Sequence, residues 1–225
     1  MKQTEATKKA ARTFGMASSL GSQIRKTWDA LPDMFQSDQT MQRLTSVLTD
    51  ILGVCRNKDT MKYHFETDGF SALEGFNLNV NSKLNRMLLN MPVLKLEGNA
   101  LQLVLPEFQI PQTLKFPGKS FRCVMTAAFS LFRLRDGYMH PRPELQVLEV
   151  NKTMTKVGAH EFNFSIPDGC LCIVTLSLDY FRGGSGGWKS KNSTRFSPAC
   201  ICGAFVTPGT YNGNQKRWIK MQEFD

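Results

Sequence analysis

Acid and histidine are scarce in this sequence. Against 28 lysines and arginines stand 19 aspartates and glutamates, and 225 residues contain three histidines, His64, His140 and His160. None of the three forms an HxH or HxxxH pair, and His140 lies in a loop-like Tyr138-Met139-His140-Pro141-Arg142-Pro143 stretch. A histidine metal site and a histidine-centred acid–base site are therefore both unsupported. There is no GxSxG nucleophile elbow and no dinucleotide fingerprint. Ser185, inside Gly183-Gly184-Ser185-Gly186-Gly187, has the composition of a flexible loop and lacks the Lys-Ser/Thr ending of a phosphate loop. These absences argue against an enzyme, and no cofactor is expected. No run of about eighteen apolar residues exists to span a membrane. Met1–Ala11 is polar and lysine-containing, without the apolar region of a secretory signal. The six cysteines, Cys55, Cys123, Cys170, Cys172, Cys200 and Cys202, sit mostly in apolar β-like surroundings. They are expected to be reduced, buried thiols in a cytoplasmic protein.

What is present is positive charge. The net charge is +9 and the pI about 9.4, a balance that attracts anionic partners and is silent on fold. The length suits one large domain, or one domain with an appended segment, big enough to bury a core without covalent staples. Residues 1–11 read as a polar basic arm. From Arg12 a helical stripe follows, with Phe14, Ala17, Gly21, Ile24, Trp28 and Leu31 at spacings of three or four, ended by Pro32. Ser37 or Asp38 can cap a second helix with the stripe Met41, Leu44, Leu48, Ile51 and Cys55. The two together predict a helical hairpin over 12–57. Gly21 in the stripe predicts close approach of another backbone, either the chain's own body or a second copy.

Residues 58–225 read as β. Val93–Glu97 and Leu101–Leu105 flank Gly98-Asn99, a hairpin signal, and strand-like runs recur to Phe224 with no strong helix between them. The expected fold is mainly β with an N-terminal α-helical hairpin, its body an Ig-like β-sandwich. An internal echo divides that body into similar halves at about 58–140 and 141–225. In the echo, Cys123-Val124-Met125-Thr126 followed by Phe132-Arg133 answers Cys172-Ile173-Val174-Thr175 followed by Phe181-Arg182.

The order Phe14-Gly15-Met16-Ala17, Ile24-Arg25, Arg43-Leu44-Thr45, Leu73-Glu74-Gly75-Phe76-Asn77-Leu78-Asn79 and Lys83-Leu84, then Leu105-Pro106-Glu107-Phe108-Gln109-Ile110-Pro111, resembles a group of uncharacterised proteins of Bacteroidota. The resemblance covers about the first 130 residues. It implies a helical segment followed by a β-rich remainder, and it supplies no activity and no catalytic residue.

Three sets of residues are candidates for function. The helical seam (Phe14, Ala17, Gly21, Ile24, Trp28, Leu31, Met41, Leu44, Leu48, Ile51) suits self-association into a homo-oligomer or larger assembly, the leading expectation for a non-enzymatic structural or interaction protein. The second set is cationic and aromatic: Lys8, Lys9, Arg12, Arg25 and Lys26 near the N-terminus, then Arg182, Trp188, Lys189, Lys191 and Arg195, joined by Lys216, Arg217 and Trp218. From Phe181 through Gln222 there is no acid. Cations interleaved with aromatic rings suit single-stranded nucleic acid, where bases stack while charges meet phosphates. A sandwich presenting Trp188 and Trp218 also suits carbohydrate or peptide. The third set is the two CxC pairs, Cys170/Cys172 and Cys200/Cys202. Four thiolates would close a zinc site, but the spacing is not that of a zinc knuckle, and no bound metal is expected.

Overall fold

The computed structural model describes residues 4–57, 59–184 and 186–224. The first three residues of the expected arm, and Ser185, lie outside the described residues. Helix α1 spans Glu5–Trp28, and α2 spans Thr40–Cys55. α1 begins seven residues before Arg12, because Thr4 accepts a hydrogen bond from the Thr7 amide and the residues between are good helix formers. Neither Ser37 nor Asp38 caps α2; the cap position is Gln39, without a side-chain bond. Instead the Thr40 hydroxyl donates to the Leu78 carbonyl at 2.7 Å and ties the helix start to the body. A Cβ on Gly21 would stand 3.4 Å from Leu48 Cδ1, so this glycine lets α2 pack directly on α1.

A short helix α3 (Leu84–Met87) precedes the strands β1 (Val93–Glu97), β2 (Ala100–Leu105), β3 (Phe108–Gln109), β4 (Arg122–Arg133), β5 (Tyr138–Met139) and β6 (Glu144–Asn151). Then come β7 (Lys156–Val157), β8 (His160–Ser165), β9 (Leu171–Gly184), β10 (Gly187–Ser190), β11 (Ala199–Val206) and β12 (Ile219–Lys220). The chain is mainly β, with 36% of residues in strands against 22% in helices. β4 and β9 form the spine of the large sheet, antiparallel from Arg122↔Phe181 to Phe132↔Leu171. β6 lies outside β4 and β11 outside β9. At one end β10 folds back on β9, and at the other β5 and β12 extend beside β4. The two echoing runs are thus the two central strands, side by side and head to tail. They share one sheet and do not build two separate sandwiches.

Pleating gives that sheet two buried faces. Cys123, Met125, Ala127 and Phe129 of β4, with Cys172, Val174, Leu176 and Leu178 of β9, pack with Leu101, Leu103 and Phe162 of the three-stranded sheet β1-β2-β8. The opposite face, through Ala128, Phe132, Leu171 and Ile173, shares a core with Leu20, Ile24, Trp28, Leu44 and Leu48. The result is three layers: helix pair, large sheet, small sheet.

Candidate ligand-binding surfaces

The expected assembly seam is mostly internal. Ala17, Ile24, Trp28, Leu31, Leu44, Leu48 and Ile51 are buried in the chain's own core, and Gly21 lies against α2. Phe14 and Met41 are the exceptions, 58% and 50% exposed, and they line a groove of about 320 Å³ with Ser18, Thr45 and Thr49. The buried stripe of α1 runs through Thr13, Met16, Ala17 and Leu20, so Phe14 falls off its edge. Met16 is held from the body, since the Tyr63 hydroxyl donates to its sulfur at 3.2 Å.

The cations do not form one patch. Lys8, Lys9, Arg12 and Lys26 are exposed along α1, while Arg25 is half-buried and donates from Nε to Gln36. Arg12 and Arg25 stand about 20 Å apart along the axis at about 1.5 Å per residue. The later cations divide between the two ends of the large sheet, about 35 Å apart along β4 at roughly 3.3 Å per residue.

At the first end, β10 pairs Trp188 with Gly183 and Lys189 with Arg182. Adjacent pairs in a ribbon face opposite sides, so Trp188 is separated from Lys189 and Arg182. Trp188, 49% exposed, stacks on Phe121 with centroids 6.2 Å apart. The cation beside that stack is Arg122, 5.7 Å from the indole centroid, and it is paired with Glu149. Lys191 and Arg195 are exposed in the following loop, which Asn192 fastens to the backbone of β9 at Leu178 and Tyr180. Asn192 also donates to Asp179 Oδ1 at 2.9 Å, while Asp179 Oδ2 is buried without a protein partner. Burial, and secondarily the negative charge of Asp33, push the Asp179 carboxyl up to about 7.

At the second end, cations and rings do converge. A cleft of about 560 Å³ is lined by Leu131, His140, Pro167, Tyr211, Asn214, Lys216, Arg217 and Trp218, with no acid in its wall. The segment after Tyr211 forms no long strand, so its side chains escape strict alternation. Trp218 Nε1 donates to the Tyr211 hydroxyl (3.0 Å), which donates in turn to the Asn214 carbonyl (3.0 Å). The Asn214 side chain caps the turn Gln215–Arg217 by accepting from the Lys216 amide at 2.8 Å. Behind the rings lies Arg133, 3% exposed, its Cζ 4.2 Å from the Tyr211 centroid and 5.3 Å from that of Trp218. Arg133 is held by Asp136, and its Nη1 is buried without a protein partner. His140 donates from Nδ1 to the Arg142 carbonyl at 2.6 Å and meets Trp218 edge-on. The rings are therefore locked in place before any ligand arrives, beside Lys216 and Arg217, which are free to reach outward from exposed positions.

The cysteines do not form a four-thiolate site. Cys200 lies opposite Leu176 and Cys172 opposite Phe205, several residues apart along β11 and β9. Among the described residues no three His, Cys, Asp or Glu side chains converge to hold a metal ion. All six thiols are free and buried. Among the described residues no helix is long and apolar enough to cross a membrane.

The acid-free run from Phe181 groups Lys216, Arg217 and Trp218 with the Trp188 loop, and the fold parts them to opposite ends of the sheet. Arg133 is absent from that group, and its one signal in the sequence is a cation embedded in the apolar run Phe129–Leu134. No protein-family model, curated protein or solved structure matches the chain.

Proposed function

We propose that this chain is a non-enzymatic binding protein for single-stranded nucleic acid, and that it engages its ligand at the Tyr211–Trp218 cleft. The observation that carries this reading is the convergence of Lys216 and Arg217 with the locked Tyr211 and Trp218 rings on one acid-free cleft. A base can stack on such a wall while the cations meet its phosphates. Arg133 behind the rings adds rigidity, so less ordering entropy is lost on binding. The test is fluorescence anisotropy with a labelled single-stranded oligonucleotide across a salt series. The Lys216→Ala/Arg217→Ala double variant is expected to bind roughly tenfold more weakly and with a shallower salt dependence. Lys189→Ala/Lys191→Ala/Arg195→Ala is expected to bind nearly as the parent does. Unchanged affinity in the first variant defeats the reading.

A second reading, self-association, keeps one specific support: Phe14 and Met41 remain exposed on the helix pair beside a groove. Light scattering of the parent and of Phe14→Asp/Met41→Asp tests it, and a monomer at tens of micromolar removes it. Carbohydrate or peptide binding on an Ig-like body has weaker support, since a neutral ligand leaves Lys216 and Arg217 of the acid-free wall without a role. The kinship with the Bacteroidota group remains a proposal resting on the motifs quoted above, and a cytoplasmic location one resting on the free thiols.

A further inference from the structure

We infer that Cys200 and Cys202 form a binding site for a soft monovalent metal ion of the copper(I) class, with Met91 as a third sulfur ligand. β11 is irregular between Ile201 and Gly203: Ile201 lies opposite Thr175 and Gly203 opposite Val174, so Cys202 is the extra residue of a bulge. Strand alternation puts the Cys200 and Cys202 thiols on one side of the sheet, the bulge leaves Cys202 without a paired residue opposite, and the two sulfurs stand 4.0 Å apart. Glycine follows at 203, where a Cβ would meet Leu94 Cδ1 at 2.5 Å.

The sulfur separation matches a shared ion. Two thiolates each bound at about 2.3 Å, with about 120° between them, stand about 4.0 Å apart. The pair opens on a cavity of about 190 Å³ that Met91 also lines, together with Asn77, Asn85 and Glu74. Two thiolates and a thioether make a three-coordinate, all-sulfur donor set, which selects copper(I). Structural zinc requires four ligands and does not draw on thioethers. A thiol that binds the ion as thiolate gives up its proton to solvent. The site shares no residue with the nucleic-acid cleft and does not depend on that reading.

The test uses the full chain, reduced and under anaerobic conditions, titrated with copper(I) in competition with a chromophoric chelator. One equivalent is expected to be withheld from the chelator, with X-ray absorption reporting sulfur ligands alone. Cys200→Ala and Cys202→Ala are each expected to weaken binding by at least about 100-fold, and Met91→Leu by about tenfold, lowering the sulfur count by one. Cys55→Ala and Cys123→Ala serve as controls and are expected to bind as the parent does. Circular dichroism checks folding, and Met91→Leu keeps the test open should a cysteine variant misfold. Binding that survives Cys200→Ala, that falls equally in the controls, or that is tighter for zinc than for copper(I) overturns the inference.

Discussion

The two ends of the large sheet carry nearly the same residue types and do opposite things with them. At the β9–β10 end, tryptophan, lysine and arginine sit in a regular ribbon, and the two-residue period sends Trp188 to one face and Arg182 and Lys189 to the other. At the β5–β12 end, Lys216 and Arg217 lie on a turn, Trp218 follows it and Tyr211 precedes it, and one cleft collects them. The ends also bury charges of opposite sign. Asp179 is 1% exposed with one oxygen unpartnered, whereas Arg133 is 3% exposed with a carboxylate and three aromatic rings around it. Irregular backbone can concentrate a chemistry that regular strand disperses, provided something rigid lies behind it.

The largest effect expected from this contrast is a pH dependence from the hairpin end. The Asp179 carboxyl is raised to about 7 from a usual 3.8, so the folded state holds a proton that the unfolded chain gives up between those values. Its contribution is fully present below about pH 4, is lost as pH rises through about 7, and stays lost above. At about 1.36 kcal/mol per unit, the swing is at most about 4 kcal/mol. Urea unfolding from pH 4 to 8 measures it, and Asp179→Asn is expected to flatten the profile and stabilise the chain at pH 8. A profile identical in parent and variant breaks the comparison from this side.

Next in size is Arg133→Met at the other end. It strips Asp136 of its partner and Tyr211 and Trp218 of the cation behind them, at an expected cost of about 3 kcal/mol in the unfolding free energy. A loss under about 1 kcal/mol would mean that the guanidinium does not organise the cleft. In Trp218→Leu the stacking wall is reduced while the nearby charges stay. Oligonucleotide affinity should then fall by about 1–2 kcal/mol with an unchanged salt slope. The smallest effect belongs to Trp188→Ala. Loss of an exposed stack on Phe121 should cost within about 1 kcal/mol of stability and leave oligonucleotide binding as it was. Binding more sensitive to Trp188 than to Trp218 would reverse the assignment of the two ends.

Much of this fold is legible in residue patterns. The Gly98-Asn99 turn lies in the β1–β2 hairpin with Glu97 opposite Ala100, and the apolar run Phe121–Leu134 becomes β4 with both faces buried. Gly21 in its stripe signals a close packing partner, and that partner is α2 rather than the β-body or a second copy. Phe14 was harder to place, because a helical stripe drifts over successive turns and a large apolar residue at its edge looks like a member. Residues 59–92 have no periodicity to read; they are shaped by contacts such as the amides of Gly75 and Leu78 donating to the Ile201 and Ala199 carbonyls. The bulge at Cys202 was equally hidden, since a CxC spacing reads as two thiols on one face of a straight strand.

Local patterning alone determined the helix pair, the main strands and most of the inward-facing side chains, because period and turn chemistry act within a few residues and need no partner to be read. Tertiary structure decided which copy of an apolar face each helix meets, which echoing run pairs with which, and where each cation ends up relative to each ring. Those outcomes depend on contacts between residues far apart in the chain, such as Ser130 with Thr27 (103 positions) or the Phe35 amide with Ser197 (162 positions), whose closure is settled only when all the layers pack together.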